Sequence, residues 1–500
     1  MSSVSQASDE LAKIEYVKKT DDSIIGHPKG LMTLFFTEMW ERFSYYGMRA
    51  ILLLYMVTVA EKGGLGFTTA KAATIYGLYT SSVYLMSIPG GWIADNILGA
   101  RFAVLFGGIV IALGHFSMAF ANINFFYGGL ILIVLGTGLL KPNISTMVGA
   151  LYPEGDPRRD GGFSIFYMGI NLGAFLSPLV CGFLAQDDRF QQFLRANNFN
   201  PLNTWHWGFG AAGVGMTLGL IIYLSFQRNL IPVSKKPDIP TSELLKRAAM
   251  AIVGVSAIGF LLINNLWVVI AGGIIAGAGW FLFSLKGDER NRFIVIMILF
   301  VFAAFFWAAF EQAGSSLTLF ADKLTRNSIF GWEFPSSWFQ SVNSIFIILL
   351  APLFSLLWVA LGTKQPSSPA KFAFGLLFAG LGFVVVAFAA TLTGGGLVSP
   401  MWLVSVYFIH TIGELCLSPV GLSTITKLAP ARLVGQMMGV WFLATSVGNY
   451  IAGTLAGNFD EKAEGAVFNL FASVAVATIL SAGILLALTP YARKLIGKAQ

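Results

Sequence analysis

Apolar residues run through this chain in blocks of about twenty or more, the length of helix that crosses a bilayer core. The blocks fall near residues 31–60, 70–96, 101–121, 124–148, 160–185 and 205–227, then 244–264 and 265–286, then 291–321, 335–360, 371–392, 399–425, 431–456 and 465–489. A polar stretch from Arg228 to Glu243, with Lys235, Lys236 and three prolines, separates the first six from the next two. The pattern predicts an all-α membrane protein with 14 transmembrane helices, grouped six, two and six. Its parts are a polar N-terminal segment 1–30, a six-helix bundle 31–227, a linker with two added spans 228–290, a second six-helix bundle 291–489 and a tail 490–500. The first thirty residues hold Lys13, Lys18, Lys19 and Lys29 and lack a short apolar core with a small-residue cleavage site, so the first apolar block is read as a span and not a cleaved signal.

Composition agrees with lipid as the main solvent. The chain is 56% hydrophobic and 11% charged, against about 25% charged in a soluble domain. With the N-terminus inside, 22 of the 32 Lys and Arg lie in segments on that side, seven in the opposite loops and three within spans. That bias places both termini in the cytoplasm. It also accounts for the net charge of +7 without nucleic acid, because no basic stretch is interleaved with stacking aromatics. Cys181 and Cys416 sit in apolar runs without partner spacing, as buried side chains and neither a disulfide nor a metal site. Two six-span halves joined by a cytoplasmic linker is the layout of the major facilitator fold. The central pair has no ionisable residue between Arg247 and Lys286 and reads as a structural insertion.

Seven ionisable residues fall inside spans, where each costs about 2.5–3.5 kcal/mol on insertion scales: Glu38, Glu41, Arg42, Arg49, Lys141, Glu311 and Glu414. At about 100° per residue, Glu38, Arg42, Tyr45 and Arg49 share one stripe of the first span, flanked by Glu41 and Tyr46. A polar stripe of that kind faces a watered cavity or another polar helix. Lys141 precedes Pro142, where a helix is expected to bend and free a carbonyl. Glu311 ends an aromatic-rich run, and Glu414 lies one turn after His410. Four acids against three bases leave one negative charge in excess, so closing the cavity favours uptake of one proton. A zwitterionic substrate adds no net charge, which points to proton-coupled movement of a molecule with both an amine and a carboxylate.

An enzyme would need a nucleophile with a base, or a metal cluster, converging at one depth; these polar residues are spread along a path instead. An ATP-driven pump would carry a phosphate-binding Gly-rich loop ending in Gly-Lys-Ser/Thr, and the chain has none. A sensing or scaffolding role could accompany transport.

The motif Glu38-x-x-Glu41-Arg42-Phe43-x-Tyr45-Tyr46-Gly47 resembles the first-helix signature of the proton-dependent oligopeptide transporters of the major facilitator superfamily. Gly90-Gly91-Trp92-Ile93-Ala94-Asp95-Asn96-Ile97-Leu98-Gly99-Ala100-Arg101 resembles that family's cytoplasmic loop between spans two and three. Phe166-Tyr167-x-x-Ile170-Asn171-x-Gly173 resembles its fifth-span motif, and Gly413-Glu414-x-x-x-Ser418-Pro419 its tenth-span motif. The likeness runs from about residue 31 to 490, in the six-two-six layout of bacterial members.

The resemblance implies import of di- and tripeptides by alternating access, driven by the proton gradient with no cofactor and no metal, by a protein of the inner membrane functional as a monomer in the lipid bilayer. A related carrier of nitrate or of an amino-acid-derived substrate is the alternative on the same fold. It implies proton coupling through Glu38, Glu41, Arg42 and Glu311. It also implies gate salt bridges between Arg49 and Glu311 and between Lys141 and Glu414. Arg49 and Lys141 would hold the peptide carboxylate, and Glu414 and Asn171 its amino end. Tyr46, Tyr84, Tyr167, Asn343, Ser418 and Trp441 would complete the substrate site, with interhelical packing as the other reading of Tyr84 and Trp441. Animal members handle protons with a second-span histidine. Here His27, His115, His206 and His410 all lie elsewhere, which leaves coupling to the carboxylates and makes His410 a packing residue. The short segment 393–398 leaves no room for the large extracellular domain of animal members.

Overall fold

Runs of apolar residues in lipid must satisfy their backbone internally, and helices do this within one segment. In the computed structural model nearly every apolar block is helical accordingly. It describes residues 26–496 apart from 154, 155, 157, 234–236, 238, 265, 266 and 430–433. Most of the polar N-terminal segment, Lys235 and Lys236 of the linker, and the end of the tail therefore lie outside the described residues.

The helices are α1 (Lys29–Val57), α2 (Thr69–Leu85), α3 (Ser87–Ile93), α4 (Ala100–Met118), α5 (Ile123–Ala150), α6 (Arg159–Gln186), α7 (Asp188–Ala196) and α8 (Thr204–Ser225). They continue with α9 (Thr241–Ile263), α10 (Trp267–Ser284), α11 (Gly287–Phe310), α12 (Ser316–Lys323), α13 (Gln340–Leu361), α14 (Ser368–Thr391), α15 (Met401–Leu428), α16 (Val434–Ala456) and α17 (Ala466–Ile496). The fourteen expected blocks are helical over most of their length among the described residues. Among the described residues, ten helical stretches are long and apolar enough by themselves to cross a membrane. The only sheet among the described residues is a hairpin of β1 (Ser328–Ile329) and β2 (Trp332–Glu333).

Two spans are broken in ways the apolar pattern does not show. The segment Gly90–Arg101, which the resemblance gave as a loop while the apolar block ran on to residue 96, is mostly helical: its first residues lie in α3, and Ala94–Leu98 form a wide helical turn. Apolar Ile88, Trp92 and Ile93 carry the span onward, and the chain turns only at Gly99, whose φ of +79° suits glycine. The second break falls at the end of α11, where Glu311–Gly314 tighten into a 3₁₀ turn before α12 resumes the span.

The chain divides into two compact units, Met1–Arg49 with Met86–Ser256, and Ala50–Leu85 with Ala257–Gln500. In the first, Leu31, Leu34, Leu140, Ile144, Met147 and Met216 form a fully buried core from three helices, α1, α5 and α8. Gly90 lies against the carbonyl of Gly138, leaving no room there for a Cβ. That carbonyl is the one Pro142 frees, because a proline nitrogen at i+4 has no hydrogen to donate. α5 thus runs through Pro142, with the freed carbonyl covered by the glycine of a neighbouring segment. In the second unit, α2 meets α16 at Gly77 and Gly453, whose backbones touch. The Ser446 hydroxyl donates to the Ser81 carbonyl over 2.8 Å across the same pair of helices. Buried Phe383, Phe471 and Phe320 join α14, α17 and α12, with ring centroids 6.0 Å and 5.7 Å apart.

Candidate functional site

In the first unit the charged stripe of α1 is buried: Glu38, Glu41 and Arg42 are 3%, 0% and 2% exposed. Helical spacing of four brings the Arg42 Nε within 3.1 Å of the Glu38 Oε1, and the same nitrogen donates to Glu41. One guanidinium thus holds two carboxylates, which leaves this trio one negative charge in excess. Lys141 of α5 offsets part of that charge through its attraction for Glu38. Buried charge is tolerated only when paired in this way. The pairing is still incomplete: Glu38 Oε2, Glu41 Oε1 and Arg42 Nη2 are buried without a hydrogen bond among the described residues. A carboxylate oxygen in that position is a natural acceptor for a proton or a water.

Aromatic rings complete the stripe. The Arg42 guanidinium lies 5.3 Å from the Tyr45 ring centroid and 6.0 Å from that of Tyr46, and Arg49 lies 5.9 Å from Tyr46 on its other side. The stripe 38, 42, 45, 49 read from helical periodicity is therefore continuous, with the flanking Tyr46 ring linking Arg42 to Arg49. Its position is set from α6. Gly173 sits against the Met39 carbonyl, the Phe43 nitrogen and the Arg42 Cβ, so only a hydrogen fits there. The fifth-span motif and the first-span motif are two sides of one close helix contact. Asn171 is 4% exposed and its amide donates to the Tyr167 carbonyl over 2.9 Å, one turn back along α6.

The second unit holds a separate polar group. Glu414 on α15 is 9% exposed, and its Oε2 accepts from the Asn343 Nδ2 of α13 over 3.0 Å. The same nitrogen donates to the Thr411 hydroxyl oxygen over 3.0 Å. Thr411 in turn donates to the Tyr407 carbonyl over 2.6 Å. Among the described residues Glu414 makes no ion pair; its hydrogen-bond partner is a neutral amide. Glu311 at the break after α11 is 4% exposed and repels Glu414 electrostatically. Beside it, Gln312 donates to the Ala308 and Ala452 carbonyls, each over 3.4 Å, and accepts from the Ser316 hydroxyl across the break.

The other expected residues of this unit divide by environment. Trp441 packs edge-on to Phe372, centroids 5.9 Å apart, and its ring covers Gly421. Interhelical packing describes that contact. Tyr84 is 8% exposed on α2. The Ser418 hydroxyl is buried without a hydrogen bond among the described residues. His410 is held for packing: its Nε2 lies 3.0 Å from the Ala379 carbonyl oxygen, and its ring lies against Phe383 and Phe310. The two expected gate pairs, Arg49 with Glu311 and Lys141 with Glu414, each take one residue from each unit. Thr411 and Gln312 were not expected from the sequence. Thr411 could have been found from the 407, 411, 414 spacing, which places it on the Glu414 face. Gln312 had only its neighbour Glu311 to mark it.

Among the described residues, no group of three or more His, Cys, Asp or Glu is placed to hold a metal ion. Cys181 and Cys416 are both free and buried.

An all-α membrane protein with buried ion pairs in its spans is the class that this fold defines. Residues 101–470 match the model of the POT family, and the chain belongs to that family. Peptide transporter YePEPT of Yersinia enterocolitica subsp. palearctica is 43% identical to it, over 96% of this chain and 97% of that one. A di-/tripeptide transporter of Lactococcus lactis subsp. cremoris is 37% identical, over 97% and 99%. The crystal structure of a mutant of the peptide transporter POT in complex with alafosfalin matches with a TM-score of 0.85 at 42% identity, covering 97% of this chain and 99% of that chain.

Proposed function

We propose that this protein is a proton-coupled symporter that imports di- and tripeptides by alternating access, with both termini in the cytoplasm and no cofactor beyond the proton gradient. The observation that carries the reading is Glu414: a buried carboxylate whose described partner is a neutral amide, in a span of a POT-family protein. Such a group gains most from a ligand that brings a cation, because a charge-assisted bond strengthens out of water. The α-ammonium of a peptide is that cation. Arg49 and Lys141 supply positive charge for the peptide carboxylate. Glu38, Glu41 and Arg42, with oxygens still lacking donors, are the group that takes up and releases the proton, together with Glu311.

Only the termini of the substrate are read by charge in this scheme. The side chains meet aromatic and apolar walls such as Tyr46 and Tyr84, which tolerate variety. The names of the relatives from Yersinia and Lactococcus support a peptide substrate, and the likeness to bacterial proteins supports the inner membrane as its place. Purified protein in liposomes should take up a labelled dipeptide and tripeptide under an inward proton gradient and leave nitrate outside. Gradient-driven nitrate uptake without peptide uptake would replace this reading with the anion carrier.

A further inference from the structure

The hairpin β1–β2 joins the spans Gly287–Lys323 and Ser336–Lys364, so it stands at one membrane face. Its register pairs Ser328 with Glu333 and Ile329 with Trp332, which leaves a two-residue turn, Phe330-Gly331. Both turn residues have positive φ, +51° and +82°, the conformation of a type I′ turn. That turn favours Asn-Gly or Asp-Gly, because a bulky residue is strained in the left-handed region. Phenylalanine stands there instead, and it is 106% exposed, with nothing among the described residues covering it. A strained backbone that presents a bare aromatic ring is an outlier that calls for a cause.

The rest of the hairpin shows what that cause is. Its base is fixed: Thr325 bridges to Val398, the Arg326 nitrogen donates to the Val398 carbonyl over 2.9 Å, and Ser336 donates to Asp322 over 2.8 Å. From the start of the next span, rings run outward in contact. Phe339 is buried and lies 5.6 Å from Phe334; Trp338 lies 5.4 Å from Trp332 and 6.4 Å from Phe334. Trp332 pairs across the turn with Ile329 beside Phe330. The rings are thus in contact from the start of the span out to Trp332, and Phe330 stands bare at the tip beyond them. Exposed Arg326 at the base adds a cation close to the end of the span.

We propose that the Phe330 hairpin is a lipid anchor: its tip inserts into the interfacial layer of the leaflet at that face, with Trp332 and Trp338 as the belt above the span. Aromatic rings favour that layer, and an apolar tip buried there recovers the strain of its turn. The anchor holds the connection between α12 and α13, and through the Thr325–Val398 bridge also the connection before α15, at a fixed depth.

The test uses the whole protein in lipid nanodiscs. A nitroxide on Phe330→Cys, with one on Lys462→Cys as the aqueous control, is exposed to oxygen, which partitions into lipid, and to a water-soluble nickel chelate. The native cysteines are both buried, so labelling is directed to the new site. The expected oxygen-to-nickel collision ratio at position 330 is several-fold above the control. Phe330→Asn suits the turn and preserves the hairpin, so it provides a variant with the ring removed. In it, quenching of Trp332 by brominated lipid, taken as the difference from Trp332→Phe, should fall at least two-fold. A ratio equal to the control would overturn the proposal. Exclusion of both collision partners would do so too, since the ring would then be covered by protein, either a second copy or another part of this chain.

Discussion

The side-chain amide of Asn343 donates to the carboxylate of Glu414 and to the hydroxyl oxygen of Thr411, each over 3.0 Å. The first contact orients the carboxylate without neutralising it, and the second fixes the amide that makes it. The second unit therefore holds an acid fixed in place by dipoles, which is the arrangement expected where the counter-charge arrives with a ligand.

Glu414→Gln tests that arrangement without breaking it. The glutamine Oε1 still accepts from Asn343, so the fold should keep its melting temperature within a degree or two. The charge is lost, and a dipeptide ammonium is left unpaired in a desolvated site. Affinity for a free dipeptide should fall on the order of tenfold to several hundredfold in a competition binding assay. An unchanged affinity would remove Glu414 from substrate recognition.

Glu311 stands where α11 breaks, and its neighbour Gln312 ties that break to α16. Glu311→Gln should abolish accumulation of peptide against its gradient while leaving exchange of peptide across the liposome membrane in place. Accumulation at the wild-type level would mean that the proton is carried elsewhere.

Gly173 is required by contact and not by backbone angle. Gly173→Ala places a methyl group against the Met39 carbonyl and should lower stability by about 1–3 kcal/mol, the range for overpacking. Gly483 in α17 has no described atom from outside its own helical turn within 4 Å of where its Cβ would stand. Gly483→Ala should be neutral or stabilise by up to about 1 kcal/mol through helix propensity. Thermal unfolding in one detergent compares the two directly, and equal shifts would contradict the close helix contact.

The pH dependence of folding outside the spans has a definite sign. Asp187 caps α7: its Oδ1 accepts from the Arg189 nitrogen over 2.8 Å, and hydrogen bonds from the Arg189 side chain hold its carboxyl below the usual range. Asp156 is lowered in the same way by Arg158. A depressed carboxylate stabilises the folded state above its unfolded pKa of about 3.9 and loses that contribution as pH falls through the folded value. Between about pH 5 and 8 these pairs stay ionised, so Asp187→Ala should lower stability by a constant amount of about 1 kcal/mol, the worth of a helix cap. Denaturation followed at several pH values checks this. A loss that vanishes by pH 5 would show that Asp187 does not act as an ionised cap at that pH.

Span positions were legible in the sequence because lipid imposes one length and one polarity on every crossing helix. The stripe Glu38, Arg42, Tyr45, Arg49 was legible because helical spacing alone brings those residues to one side. What the periodicity could not show were contacts between helices distant in sequence. Gly90 covering the carbonyl freed by Pro142, and Gly173 against Met39, depend on how segments meet in space. Gly90–Asn96 was read both as the end of the apolar block 70–96 and as part of a loop motif, and the apolar block was the better guide, because Ser87–Ile93 and Ala94–Leu98 are helical. Trp441 was offered as a pocket wall or a packing residue, and its contacts with Phe372 and Gly421 are packing contacts.

The central claim is that an ammonium group is read, which separates a peptide carrier from a proton-linked carrier of anions. Competition binding to the wild-type protein, with a free dipeptide and its N-acetylated form, measures this directly. The acetylated form keeps the carboxylate and the peptide bond and lacks only the charge that Glu414 meets. It should bind at least tenfold more weakly than the free dipeptide; equal affinities would contradict the peptide assignment.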